Sequence, residues 1–259
     1  MPLKVALRIG IGDIICSRLI LEGTDAEVCL DSRLLKYKDE NKEAYLAFAN
    51  EFAEFIFEGI KFHRTDSSEF RAVGWEDLYM EGHRPKVGPW IDKLCIPHEA
   101  GDYICLFTKC RGFVAQDAEI FVDQLIPILN KLDCPIMVIG EREVEMNAEY
   151  RLNKVCSIYP FLKERIHRMV DMTIPALGLT VPTLRQFRED CCNIRRSKGV
   201  VNIGLGGNLV MSMLFDKAVT LIPKYDYWTE ITASVWPTIF PNSFFTVDSK
   251  LFLDRVAKL

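Results

Sequence analysis

The sequence predicts an α/β protein with parallel sheets, and three observations carry that expectation. Short apolar runs of strand length alternate with amphipathic stretches of helix length, the rhythm of a parallel sheet covered by helices on both faces. One device, a strand followed by glycines and then a helix, appears once in each half, at residues 4–21 and 199–215. A long irregular stretch, residues 65–101, lies between the halves. The 259 residues suffice for one large or two modest domains. The boundary is expected between Ile96 and Asp102, giving domains 1–98 and 99–259.

Composition narrows the function classes. The chain is 49% hydrophobic and 26% charged, ordinary for a globular protein, with a net charge of −4. That charge gives no general reason to expect nucleic acid or an acidic membrane as partner. There is no uninterrupted apolar run of about 18 residues, so no spanning helix is expected. The start, MPLKVALRIGIGD, lacks a signal peptide's cleavage region and reads as a core strand. Nine cysteines, with no CxxC pair and no secretion signal, are expected to be free thiols in a reducing, cytoplasmic setting.

Taken in order, Val5–Ile9 is expected to be a buried strand and Gly10-Ile11-Gly12 a tight turn. Asp13 stands where an N-cap belongs, at the mouth of a helix running to Leu21. Glu27–Leu30 is a short strand. Asn41–Ile60 is a helix with Tyr45, Phe48, Phe52, Phe55 and Ile56 at helical spacing, an aromatic stripe suited to a core. Gly59 ends it before a strand at Ile60–His63. In the second half, strands are expected at Tyr103–Phe107, Pro135–Ile139, Val155–Tyr159, Gly199–Ile203 and finally Ala218–Ile222. Helices are expected at Asp117–Leu132 (bent at Pro127), Glu143–Leu152, Pro160–Met169, Thr183–Arg195 and Asn208–Phe215. A closing helix, Asp248–Leu259, has an apolar face of Leu251, Phe252 and Val256 and is a candidate to pack back on the first domain.

Chemistry is expected at strand ends, where open α/β sheets place ligands. Asp13 has two readings, a plain helix cap or a general base facing a cleft beside Gly10 and Gly12. Gly204, Gly206 and Gly207, with Asn208, bring backbone N–H groups and a helix N-terminus toward one point, either a phosphate cradle or a close-packed turn. Their spacing matches neither GxGxxG nor a P-loop. Lys109 and Arg111, in FTKCRG, follow a strand end and either hold a diphosphate or stand solvated. Glu141, Glu143 and Glu145 follow the next strand and either accept ribose hydroxyls or complement a helix dipole. Glu76-Asp77 and Asp171 are expected as surface or capping charges. The four histidines join no nucleophile motif, and no spacing suggests a metal site.

Together the two glycine turns resemble a family. RIGIGDIICSRLIL, residues 8–21, resembles the GxGD opening of the heptosyltransferase-like glycosyltransferases of GT-B fold. VNIGLGGNLVMSMLFDKAVTLIP, residues 201–223, is similar to their donor-binding segment. The resemblance implies two facing Rossmann-like domains; here the N-terminal one, residues 1–98, is expected to be reduced, since it is short for that fold. It implies an acceptor, glycan or other hydroxyl, on the first domain and a nucleotide-diphosphate sugar, rather than a bound cofactor, on the second. It also implies an inverting, metal-independent transfer with Asp13 as base, and phosphate and ribose contacts around Lys109 and Glu141–Glu145. The chain departs from the family in having Ser17-Arg18-Leu19 where a proline is usual, and Asn202-Ile203-Gly204 in place of Asp-Thr-Gly. Three other functions remain open: a nucleotide-sugar epimerase or hydrolase, a binding module without activity, and, outside the family, a dinucleotide-dependent oxidoreductase, which the glycine spacing counts against. Monomer and dimer are both open.

Overall fold

The computed structural model describes residues 2–31, 39–64, 68–95, 99–107, 120–139, 165, 169–171, 183–203, 210, 212–222, 231 and 233–259. The chain forms two compact units, Met1–Leu94 with Val181–Phe187, and Cys95–Thr180 with Arg188–Leu259. Each carries a parallel sheet, so the protein is α/β with Rossmann-like sheets.

The first unit runs β1 (Leu3–Leu7), α1 (Ile11–Leu21), β2 (Ala26–Leu30), α2 (Asp39–Ile56), β3 (Lys61–His63), β4 (Arg71–Val73), α3 (Trp75–Met80) and α4 (Trp90–Leu94). Its four strands lie in the order β3-β2-β1-β4, all parallel. β1 is central because Val5, Ala6 and Leu7 are apolar and buried, as a strand flanked on both edges requires. α1 is buried along its whole length from Ile14. Arg18 therefore needs internal partners. It pairs with Glu22 one turn on, donates from Nε to the Ile56 carbonyl (3.0 Å) and lies over the Trp90 ring. The α2 stripe is core: Phe48 stacks on Phe52 (5.7 Å), and Phe52 meets Phe187 edge-on (4.7 Å). Gly59 takes a φ of 86°, a conformation glycine adopts without strain.

The stretch expected to be irregular, 65–101, contains β4, α3 and α4. These elements are too short to show a period, and two residues of β4, Arg71 and Ala72, are exposed, so no apolar run announces the strand.

The second unit contains β5 (Ile104–Phe107), a π turn at Ile120–Leu125 leading into α5 (Ile126–Leu129), β6 (Ile136–Ile139), β7 (Met169–Asp171), residues 188–196 of α6 (Leu184–Arg196), β8 (Gly199–Ile203), β9 (Ala218–Leu221), β10 (Phe244–Thr246) and α7 (Ser249–Val256). Pro127, expected to bend a regular helix, instead sits just after the π turn; its ring and missing N–H disfavour an uninterrupted α-helical ladder there. The six strands, all parallel, lie in the order β10-β9-β8-β5-β6-β7. This is the doubly wound dinucleotide-fold order, with the switch between β5 and β8.

Two strands of this unit, β7 and β10, were not expected. Met169, assigned to the end of a helix, starts β7, and Asp171, expected as a surface or capping charge, ends it. Ala218–Leu221 is not the last strand, because β10 pairs beside it. The expected strand Val155–Tyr159 and helix Glu143–Leu152 lie outside the described residues.

The core of this unit joins Ile104, Leu106, Leu125, Leu129, Ile136, Val201 and Val219 to Phe252, Leu253 and Val256 of α7. The closing helix thus belongs to the second unit's own core, and Leu251, expected on its apolar face, is exposed. Asp248 caps its start, accepting from the Leu251 N–H at 3.0 Å. Asp248→Ala should cost about 1 kcal/mol, read as a fall in the denaturation midpoint; an unchanged midpoint would show the cap to be idle.

Candidate functional site

The described candidate site lies at the carboxyl edge of the first sheet. β1 pairs with β2 on one side and with β4 on the other, so the order reverses at β1 and a crevice forms between the ends of β1 and β4. Leu7 stands opposite Val73. Arg8 follows the first strand, Gly74 the second, and Asp31, buried, follows β2 with its N–H bonded to the Leu7 carbonyl (2.8 Å).

Two helices begin at this crevice. α1 starts earlier than expected: Gly10 is its N-cap, with no side-chain cap bond, and Asp13 lies in the first turn rather than at the cap. Gly12, expected in the turn, is the second residue of that helix. Gly10 has an ordinary φ of −66°; what its missing side chain permits is close approach. A Cβ there would sit 2.5 Å from Asp13 Oδ2. Asp13 therefore folds back over Gly10, half-buried.

α3 repeats the arrangement. Gly74 precedes it, and its N–H is bonded by Asp77 Oδ2 (2.7 Å), so Asp77 is the capping charge anticipated for the pair Glu76-Asp77. Glu76 is not a surface charge: it is 4% exposed. A Cβ on Gly74 would collide with Glu76 Oε2 and lie 3.0 Å from the Arg8 guanidinium carbon. Glu76 Oε2 is 3.5 Å from Arg8 Nη1. Burial pushes the Glu76 carboxyl up to about 7; its own backbone hydrogen bond and Arg8 oppose the rise, and Asp13 and Asp77 add to it. Cys16, one turn beyond Asp13, is buried, and its thiol is pushed well up by that burial and then by the charges of Asp13 and Glu76. Asp13, Cys16, Glu76 and Arg8 thus share one neighbourhood, able to hold one proton and one negative charge near a cation.

Arg8, Asp31 and Glu76 escaped sequence reasoning. The available signal was RAVGWEDL at residues 71–78, which repeats in short form the strand, glycine, acid and helix order of ALRIGIGDII.

On the second sheet, β5 ends at Phe107, β6 at Ile139 and β8 at Ile203. Lys109 and Arg111, Glu141, Glu143 and Glu145, and Gly204, Gly206, Gly207 and Asn208 follow these ends in the chain; all nine lie outside the described residues. The β5 and β8 ends are the two that flank this sheet's switch point. Among the described residues no cluster of three or more His, Cys, Asp or Glu side chains could hold a metal, and no helix is long and apolar enough to cross a membrane.

Compared with known proteins, the sequence matches no family model and no curated protein.

Proposed function

We propose that the protein is a glycosyltransferase of GT-B type that moves a sugar from a nucleotide-diphosphate sugar to an acceptor hydroxyl. The reading assigns the acceptor to the first unit and the donor to the second. The observation that carries it is the placement of Asp13, a half-buried carboxyl at the switch point of a parallel sheet, beside Arg8 and a second carboxyl, Glu76. Ligands of such sheets bind at this kind of crevice, and a general base must face one. A second support is the order of the six-stranded sheet, since doubly wound sheets of that order hold nucleotides.

In this mechanism the acceptor O–H bond breaks as its oxygen attacks the anomeric carbon, and the proton passes to Asp13. The bond from that carbon to the diphosphate breaks on the opposite face, inverting the centre, and the nucleoside diphosphate leaves with the electron pair. Lys109, Arg111 and the amides of Gly204, Gly206, Gly207 and Asn208 meet the departing charge; preorganised charge of this kind is usually the largest catalytic contribution. Glu141 or Glu143 accepts the ribose hydroxyls.

A thermal-shift screen of nucleoside diphosphates and nucleotide-sugars tests the donor half. A ligand at 100 times its dissociation constant should add about 2.7 kcal/mol of stability, and Lys109→Ala with Arg111→Ala should abolish the shift. No shift with any nucleotide would sink the proposal.

The raised Glu76 carboxyl favours one other reaction, a nucleotide-sugar epimerase or hydrolase, which needs an acid as well as a base. NMR of the donor with the protein and no acceptor separates the two: a transferase leaves the sugar unchanged.

A further inference from the structure

We infer that Glu76 is a positioning residue for Asp13: the two carboxyl groups form one unequal pair, in which Glu76 keeps a proton so that Asp13 keeps its charge. This rests on the reading of Asp13 as the base and gives Glu76 a role that the transferase mechanism does not itself assign.

The geometry is built twice over. β1 and β4 run parallel with Leu7 opposite Val73, so the helices that follow them start side by side. Each helix is preceded by a glycine, and the space a side chain would fill on each glycine is taken by a carboxylate oxygen, Asp13 Oδ2 at Gly10 and Glu76 Oε2 at Gly74. Both carboxyls are thereby drawn toward their strand ends. Their surroundings differ. Asp13 is half-buried and Glu76 buried, and the more deeply buried of two neighbouring carboxyls is the one that holds the proton. The charged and titratable groups around Glu76 are Arg8 at the end of β1, Asp13 and Cys16 on α1, and Asp77 on α3; Asp31 closes the same edge from β2. Arg8, at 3.5 Å, is a loose partner, and burial outweighs it in holding the Glu76 carboxyl up to about 7.

The pair has a functional consequence. A base must be ionised when its substrate arrives. With a proton on Glu76, the negative charge that Glu76 would otherwise place beside Asp13 is absent, which favours the ionised form of Asp13. When Glu76 loses that proton, two negative charges share the crevice, and Asp13 binds a proton more readily.

The test needs neither donor nor acceptor. Carbon-13 NMR of side-chain carboxyls in the full-length chain, labelled at Glu, is followed from pH 4 to pH 9. One glutamate should titrate near pH 7, and Glu76→Gln should remove that resonance. Asp13→Asn should shift its midpoint toward acid, a response that a carboxyl not coupled to Asp13 would not give. Should Glu76→Gln fail to fold, Arg8→Gln takes its place: loss of the cation must move the same midpoint to higher pH. The inference is overturned if no glutamate titrates above about pH 6, or if the midpoint ignores Asp13→Asn. Because turnover is not measured, a failure here leaves the transferase reading standing, and a failure of that reading leaves the pair standing.

Discussion

Asp13→Asn should lower turnover by about 10²–10⁴-fold, the usual contribution of a positioned general base, while leaving the thermal shift given by the nucleotide donor unchanged. The substitution suits the question because Asn keeps the shape of Asp. It can occupy the space over Gly10, where the carboxylate oxygen now lies, so helix α1 has no reason to move. What it loses is the negative charge and the ability to accept a proton. Donor affinity, which the proposal places with Lys109, Arg111 and the Gly204 segment, does not depend on either. A drop in both kcat and kcat/KM by a similar factor is the signature of an interaction made only in the transition state. Retained turnover would remove Asp13 from the mechanism. A lost donor shift would mean that Asp13 serves binding or folding instead.

The placement of this carboxyl could be read from sequence because it depends on local order alone. An apolar run, two glycines and an acid imply a strand end and a helix start, and β1 and α1 are present in that order, although the strand is Leu3–Leu7 rather than Val5–Ile9 and the helix begins at Ile11, ahead of Asp13. The difference is one of phase: the sequence order puts Asp13 at the cap, whereas Gly10 holds it, since an acid in the first turn and an acid at the cap satisfy the same orphan N–H groups. The strand beside it was not legible. β4 spans Arg71–Val73, too short for alternation to register, and its place against β1 is a long-range pairing that no local pattern encodes. With β4 unseen, Glu76 looked like one of two adjacent surface acids. Its burial follows only from the β1–β4 pairing, so the second half of the crevice lay in tertiary structure. The longer elements behaved differently. The α2 aromatic stripe and the β5, β6 and β8 runs carry enough residues for their period and apolar content to settle their type; the strands are buried, as are Tyr45, Phe48, Phe52 and Ile56 of the stripe, while Phe55 is half-buried.

A second large effect is expected from Asp190, in the second unit. It lies near the middle of α6, is buried, and stands close to the thiols of Cys105 on β5 and Cys191 beside it, both of which its charge pushes up further. Burial first, and then Glu189, raise the Asp190 carboxyl to about 8, against about 3.9 in an unfolded chain. Between those values the folded protein holds a proton that the unfolded chain has released. Stability from this group is therefore complete below about pH 4 and is lost as pH rises through 8. Glu76 acts with the same sign over a narrower window, ending near 7. The exposed carboxyls Glu54 and Glu81, held low by hydrogen bonds from Arg64 and Arg71, have the opposite sign. Their contribution is present above the unfolded value and is lost only in acid, below about pH 4.5, so they do not mask the effect. With each pKa unit equal to about 1.4 kcal/mol, the loss at Asp190 amounts to several kcal/mol by pH 9. Asp190→Asn abolishes the titration at nearly constant volume. Urea midpoints taken from pH 5 to pH 9 should fall further for the wild-type chain than for the variant, in which only the Glu76 contribution remains, up to about pH 7; the gap should grow to about pH 8 and hold constant above it. Two parallel curves would show that Asp190 ionises in the fold as readily as in water, and that its burial is relieved by a partner able to carry the charge.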